Sequence, residues 1–131
     1  MPSPDIIIIE DDPLVGEIAR DILTKQGYAV ELLPESCDAI AAIKAAMPKL
    51  VITDIMMPGL SGLDICKAVK SDPAIAHVKI MVMSAKTFEV EKKRAIQFGA
   101  LAFLTKPFDE KTLIMMVKRL INSPGPEQGR K

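Results

Sequence analysis

The chain has 131 residues, the length of one ordinary domain, and a domain of that size buries roughly two-thirds of the surface its unfolded chain exposes. Lys and Arg number 17, as do Asp and Glu, so there is no global positive field to gather nucleic acid or an anionic membrane, and any electrostatic function must be local. The start MPSPD lacks the basic n-region of a signal peptide, and Ile6 to Ile9 is far shorter than the roughly 20 residues a membrane helix needs, which predicts a soluble cytoplasmic protein.

In chain order, DIIIIE at 5–10 is a continuous β-branched run, the pattern of a strand covered on both faces. Pro13 suits the first turn of a helix with Asp11 or Asp12 as its cap. Leu14, Ile18 and Ile22 then recur at i, i+4 and i+8 until Gly27 stops the helix. The same unit repeats. YAVELL (28–33) precedes a helix over about 36–47, and KLVITD (49–54) precedes one over 62–71. KIMVMS (79–84) precedes one over 89–98, and ALAFLT (100–105) precedes one over 109–122. Five strands alternating with five helices predict an α/β fold, an open parallel sheet wound on both faces. From Ser123 the chain reads SPGPEQGRK, with no apolar residue to bury, which predicts a disordered tail or the start of a linker.

Ligands of such sheets bind beyond the carboxyl ends of the strands. The first strand ends there in Glu10 and Asp11, the third in Asp54, the fourth in Ser84 and the fifth in Lys106. Three carboxylates at one end of a sheet repel one another unless a cation is present. An oxygen-only set without His or Cys suits Mg²⁺ or Mn²⁺, and Mg²⁺ commonly coordinates phosphate oxygens as well. Lys106 supplies a compact positive charge and Ser84 a hydroxyl, both fitted to a transferring phosphoryl group, and Asp54 is a candidate nucleophile that would form an acyl phosphate. Each feature has a plainer reading by itself: an acid pair after a strand caps a helix, and an Asp before Pro-Gly shapes a turn. Their joint occurrence at four strand tips is what points to chemistry. The cysteines, Cys37 and Cys66, have no metal-ligand spacing and read as buried thiols, with a disulfide as the alternative. His77, the single histidine, reads as a surface residue.

Through IIIIEDDP, VITDIMMPGLSGLDICK, IMVMSAK and GALAFLTKPF, the sequence resembles the CheY-like receiver domain of two-component response regulators over about residues 5–122. The resemblance implies a flavodoxin-like sheet in the order 2-1-3-4-5, a receiver spanning 1–122 and a tail or linker over 123–131. It also implies a signalling switch, not an enzyme, that accepts a phosphoryl group on Asp54 from a sensor histidine kinase or phosphotransfer protein. Asp11 matches the direct metal ligand, Glu10 the neighbouring acid that reaches Mg²⁺ through water, and Met56 the residue lending its backbone carbonyl. Ser84 and Lys106 match the hydroxyl and lysine that engage the attached phosphoryl group, and Phe103 the aromatic switch residue, which lacks the hydroxyl of the common Tyr. The bond before Pro107 is expected to be cis. The resemblance further implies that Met56 and Lys86 lie at rim positions that tune the lifetime of the acyl phosphate.

The apolar band Leu14, Val15, Ile18, Ala19, Ile22 and Leu23 is wider than one buried face needs. By resemblance, Val15, Ile18, Pro107 and Phe108 are kinase-docking candidates. The face of the fourth helix, fifth strand and fifth helix is the surface for a downstream protein or a second copy, and Met115 falls opposite the buried side of the last helix. Neither nucleic acid nor membrane is an expected partner. Other readings are a receiver that only binds proteins, a flavodoxin-like electron carrier and an aspartyl-nucleophile phosphatase of the haloacid-dehalogenase type. The phosphatase would need a second Asp where Pro13 stands, and the carrier a Ser/Thr/Gly-rich phosphate loop after the first strand.

Overall fold

A computed structural model describes residues 3–36, 38–57, 59–85 and 89–123. Strand and helix alternate throughout: β1 (Ile6–Ile9), α1 (Pro13–Lys25), β2 (Val30–Leu33), α2 (Ala39–Ala46), β3 (Leu50–Asp54), α3 (Gly62–Ser71), β4 (Lys79–Ser84), α4 (Glu89–Gln97), β5 (Ala102–Thr105) and α5 (Glu110–Asn122). The strands form one parallel sheet in the order β2-β1-β3-β4-β5, the expected doubly wound, flavodoxin-like arrangement.

The two-residue period of a strand explains why four consecutive isoleucines are needed in β1. Ile7 and Ile9 pack with Ile43 of α2 and Ile65 and Val69 of α3, while Ile6 and Ile8 pack with Ala19 and Leu23 of α1 and Leu113 and Val117 of α5. All four isoleucines are fully buried, each contributing roughly 1.5–3 kcal/mol of transfer free energy. A polar side chain inside the central strands would therefore be costly, and polar residues collect at their ends.

Helix α3 and strand β4 match the sequence reading residue for residue. Strand β2 starts at Val30, not Tyr28, because it is an edge strand with only partial burial, so its pattern fades where pairing with Ile6 begins. Helix α2 starts at Ala39 rather than Ser36, since the Ala39 N–H bonds back to the Ser36 carbonyl in a turn and Ser36 is itself buried. Strand β5 starts at Ala102 rather than Ala100, whose N–H still belongs to the end of α4 through the Ala95 carbonyl. Asp12, not Asp11, caps α1, its carboxylate accepting from the Leu14 and Val15 N–H groups at 3.0 and 3.4 Å. Cys66 is a buried free thiol, pushed by burial up to about 11. Cys37, Lys86, Pro58 and the tail from 124 lie outside the described residues.

Gly62 opens α3 directly against the end of β3. A Cβ there would stand 2.5 Å from the Asp54 carbonyl oxygen, and the Gly62 N–H donates to the Ile55 carbonyl at 3.0 Å. At Gly16 a Cβ would stand 2.8 Å from Leu32 Cδ1, the far end of a flexible side chain. Gly62→Ala should therefore lower unfolding free energy by about 1–3 kcal/mol, and Gly16→Ala by clearly less, because backbone yields less than a leucine methyl. Urea unfolding of both variants checks the order, and equal losses would contradict this account.

Candidate functional site

The chain leaves β1 toward β2 on one side and reaches β3 on the other, so strand order reverses beside β1, and a crevice opens at the carboxyl ends there. Glu10 follows β1 and Asp54 closes β3. Ser84 closes β4, and Lys106 follows β5. Parallel pairing fixes Asp54 opposite Met83 and Ser84 opposite Thr105, and just beyond the strands the Glu10 N–H bonds the Leu33 carbonyl and the Lys106 N–H the Ser84 carbonyl.

Lys106 is the centre of the constellation. Its Nζ lies 3.0 Å from Glu10 Oε1 and 3.0 Å from Asp54 Oδ2. The other oxygens are also engaged: Glu10 Oε2 accepts the Asp12 N–H at 3.1 Å, and Asp54 Oδ1 accepts the Met56 N–H at 3.3 Å. Glu10 and Asp54 are buried, whereas Asp11 is exposed at the mouth. Burial pushes the Glu10 carboxyl up to about 7, against the lowering effects of the Asp12 N–H and Lys106. Burial alone would lower the Lys106 ammonium, but its hydrogen bonds to Asp54 and Glu10 outweigh that and raise it, so the lysine stays charged.

Carboxylate oxygens of Glu10, Asp11 and Asp54 all lie within 4.8 Å of one another. With all three ionised, three negative charges against the single ammonium leave a formal charge of two negative at an oxygen-only donor set, which fits a hard divalent cation. Ser84 is buried, and its carbonyl accepts the Lys106 N–H at 2.8 Å. The Lys106–Pro107 bond is cis. Phe103, opposite Val82, is half-buried against the α2, α3 and α4 side of the core, and strand alternation puts it on the same face as Ser84.

Val15, Ile18, Pro107 and Phe108 come together with Lys106 around one pocket of about 120 Å³. Leu14 and Ile18 are exposed, 69% and 44%, while Ala19 and Leu23 of the same band are buried. Met115 is exposed opposite the buried Leu113 and Val117, and His77 is an exposed loop residue. Two contributors escaped the sequence reading. Asp12 holds Glu10 through its N–H, which no sequence pattern signals, and Gly62 leaves room for the Asp54 carbonyl, a role the turn-and-cap spelling GLSG could have suggested.

The model of the response regulator receiver domain family matches residues 6–118. The chain belongs to that family. A curated relative is the DNA-binding response regulator MtrA of Mycolicibacterium smegmatis, 30% identical over 113 residues, which are 86% of this chain and 48% of that protein. The chain spans about half the length of the curated relatives it matches. Among solved structures, the signal receiver domain of a signal transduction histidine kinase from Syntrophus aciditrophicus superposes with a TM-score of 0.82 at 28% identity, covering 91% of this chain and 90% of that one. The receiver domain of sensor histidine kinase PA1611 from Pseudomonas aeruginosa PAO1, which carries a magnesium ion coordinated in its active-site cleft, shares the fold with a TM-score of 0.84 at 22% identity, covering 92% of this chain and 99% of that one.

The raised pKa of Glu10 in this receiver has a consequence for stability. Between the ordinary value of 4.5 and about 7 the folded state holds a proton that the unfolded state has released. The contribution is therefore complete below about 4.5 and is lost as pH rises through about 7. Metal-free wild type should lose stability over that window in urea unfolding, by a component that Glu10→Gln lacks. Parallel profiles for the two proteins would assign the titration elsewhere.

Proposed function

We propose that this receiver is a phosphorylation-driven switch of a two-component system in which Asp54 accepts a phosphoryl group from a phosphohistidine. The observation that carries the reading is the pairing of Asp54 Oδ2 with Lys106 Nζ at 3.0 Å inside a cluster of three carboxylates at the mouth of the sheet. An Asp54 oxygen attacks phosphorus in line, the P–N bond to the imidazole breaks, and the leaving nitrogen keeps the electron pair. Lys106 then shifts its charge toward the phosphoryl oxygens, and the Ser84 hydroxyl donates to one of them. Glu10, Asp11, Asp54 and the Met56 carbonyl would hold Mg²⁺ or Mn²⁺, and the bound ion supplies positive charge for the phosphoryl oxygens. Movement of Ser84 toward the modified Asp54 makes room for the Phe103 ring on the same face, which alters the surface of α4, β5 and α5. Met115 is an exposed apolar residue available to a downstream protein or second copy there.

The protein in this reading modifies itself, and its output is a changed surface, not a released product. Val15, Ile18, Pro107 and Phe108 around their pocket are the docking site for the kinase or phosphotransfer protein. The receiver unit is taken as 1–122, cytoplasmic, with 123–131 a tail or the start of a linker. Among the described residues, no helix is long and apolar enough to cross a membrane. The balance of 17 basic and 17 acidic residues favours no direct nucleic-acid contact by this chain, whatever the rest of a longer regulator does. The phosphatase alternative is disfavoured because Pro13 occupies the first turn of α1 where that chemistry needs an acid.

With Mg²⁺ and acetyl phosphate, wild type should acquire one base-labile phosphoryl group and Asp54→Asn none. Intact-mass analysis decides, and label on the variant, or none on wild type under conditions that modify another receiver, ends the proposal in favour of a binding module. Ile18→Asp should slow transfer from a phosphohistidine donor at least about tenfold, the cost of burying a charge at a docking contact, while leaving labelling by acetyl phosphate unchanged. Equal slowing with both donors would assign Ile18 to the fold instead of to docking.

A further inference from the structure

Lysine 79 is a buried cation, 8% exposed, at the opposite end of β4 from Ser84. Among the described residues it has no carboxylate within ion-pairing distance. Its ammonium bonds the end of α5 instead: Nζ donates to the Leu120 carbonyl at 2.6 Å, to the Ser123 carbonyl, and to Ser123 Oγ at 3.4 Å. Ser123, the residue that caps α5, also donates its hydroxyl to the Leu120 carbonyl at 3.0 Å. A helix ends in carbonyls without intrahelical partners, and their summed dipoles make that end negative. The negative helix end thus stands where a counter-ion would, and the ammonium satisfies carbonyls that helices otherwise leave to water.

We propose that Lys79 is a positioning residue that locks the last turn of α5 to the base of the sheet, and so fixes the point at which Ser123 ends the domain. The ammonium reaches 41 to 44 residues along the chain to make these bonds, so the lock ties the exit to the buried centre of the fold and not to a neighbouring loop. Whatever follows Ser123 then hangs from an anchored root. Without the lock it would hang from a fraying helix end, because terminal turns ordinarily open at little cost.

Amide hydrogen exchange on the full 131-residue chain tests this. In wild type, residues 119–123 should be protected to within about tenfold of the middle of α5. Lys79→Met should raise their exchange at least about tenfold while protection in β1 and β3 changes less, and Lys79→Arg should restore much of it. A loss spread evenly over the domain would make Lys79 an ordinary stabilising residue, and unchanged exchange at 119–123 would refute the lock. If Lys79→Met does not fold, the wild-type measurement still decides, since a last turn that exchanges like an unprotected helix end refutes it.

Discussion

The bridge from Lys106 to Glu10 and Asp54 is the interaction around which the upper end of the molecule is arranged. In the order β2-β1-β3-β4-β5, the strand carrying Lys106 is three strand spacings from the one that ends at Glu10, about 14 Å. No short side chain spans that distance. A lysine stem crossing the ends of β4 and β3, met by the long side chain of Glu10, does so with both contacts at 3.0 Å. The bridge is sheltered but incomplete: one ammonium answers two buried carboxylates, and Asp11 adds a third charge at the mouth. Burial is the main reason the Glu10 carboxyl is raised, and the neighbouring Asp54 charge adds to it, while the Asp12 N–H and Lys106 offset part of it.

Parallel pairing supplies the accuracy this bridge needs. A one-residue slip of a strand would turn its side chains to the opposite face; β1, β3 and β4 are apolar on both faces, so what opposes slippage is the shape of the two packed cores and the polar residues Glu10, Asp54, Lys79 and Ser84 at the strand ends. Gly62 adds a local constraint, because α3 can begin under the Asp54 carbonyl only without a Cβ. Just past the strand, the Met56 N–H donates to Asp54 Oδ1 at 3.3 Å and holds the carboxylate from its own side of the turn. Core packing, helix start and acid placement are one problem solved together.

Legibility in the sequence followed burial. KIMVMS and the capped helix from Gly62 were readable to the residue because β4 is buried along its whole length and Ser61 with Asp64 forms a capping box. The half-exposed edge strand β2 and the short, alanine-rich α2 give no sharp period, and they start two and three residues later than the sequence pattern suggests. At the site, residue types at the strand tips identified Glu10, Asp11, Asp54, Ser84 and Lys106 as one group, since topology alone gathers them. What could not be read was which acid is buried: EDD spells three similar residues, and only tertiary packing hides Glu10 while leaving Asp11 and Asp12 exposed. Lys79 was invisible for the same reason, its partners lying on a helix more than forty residues away.

Burial of polar groups costs free energy unless partners are supplied, so their distribution is informative. Among the described residues the buried polar and charged set is Glu10, Ser36, Thr53, Asp54, Lys79 and Ser84. Glu10, Thr53, Asp54 and Ser84 lie at the carboxyl edge of the sheet, and Lys79 alone lies at the amino edge of a strand. Between the two edges the central strands are entirely apolar. A fold that tolerated polar burial for packing alone would scatter it through the strands. The concentration at one edge sets Asp54 among charges, and the lone lysine at the other ties down the end of α5, so the two ends of β4 carry different tasks on a common rigid rod.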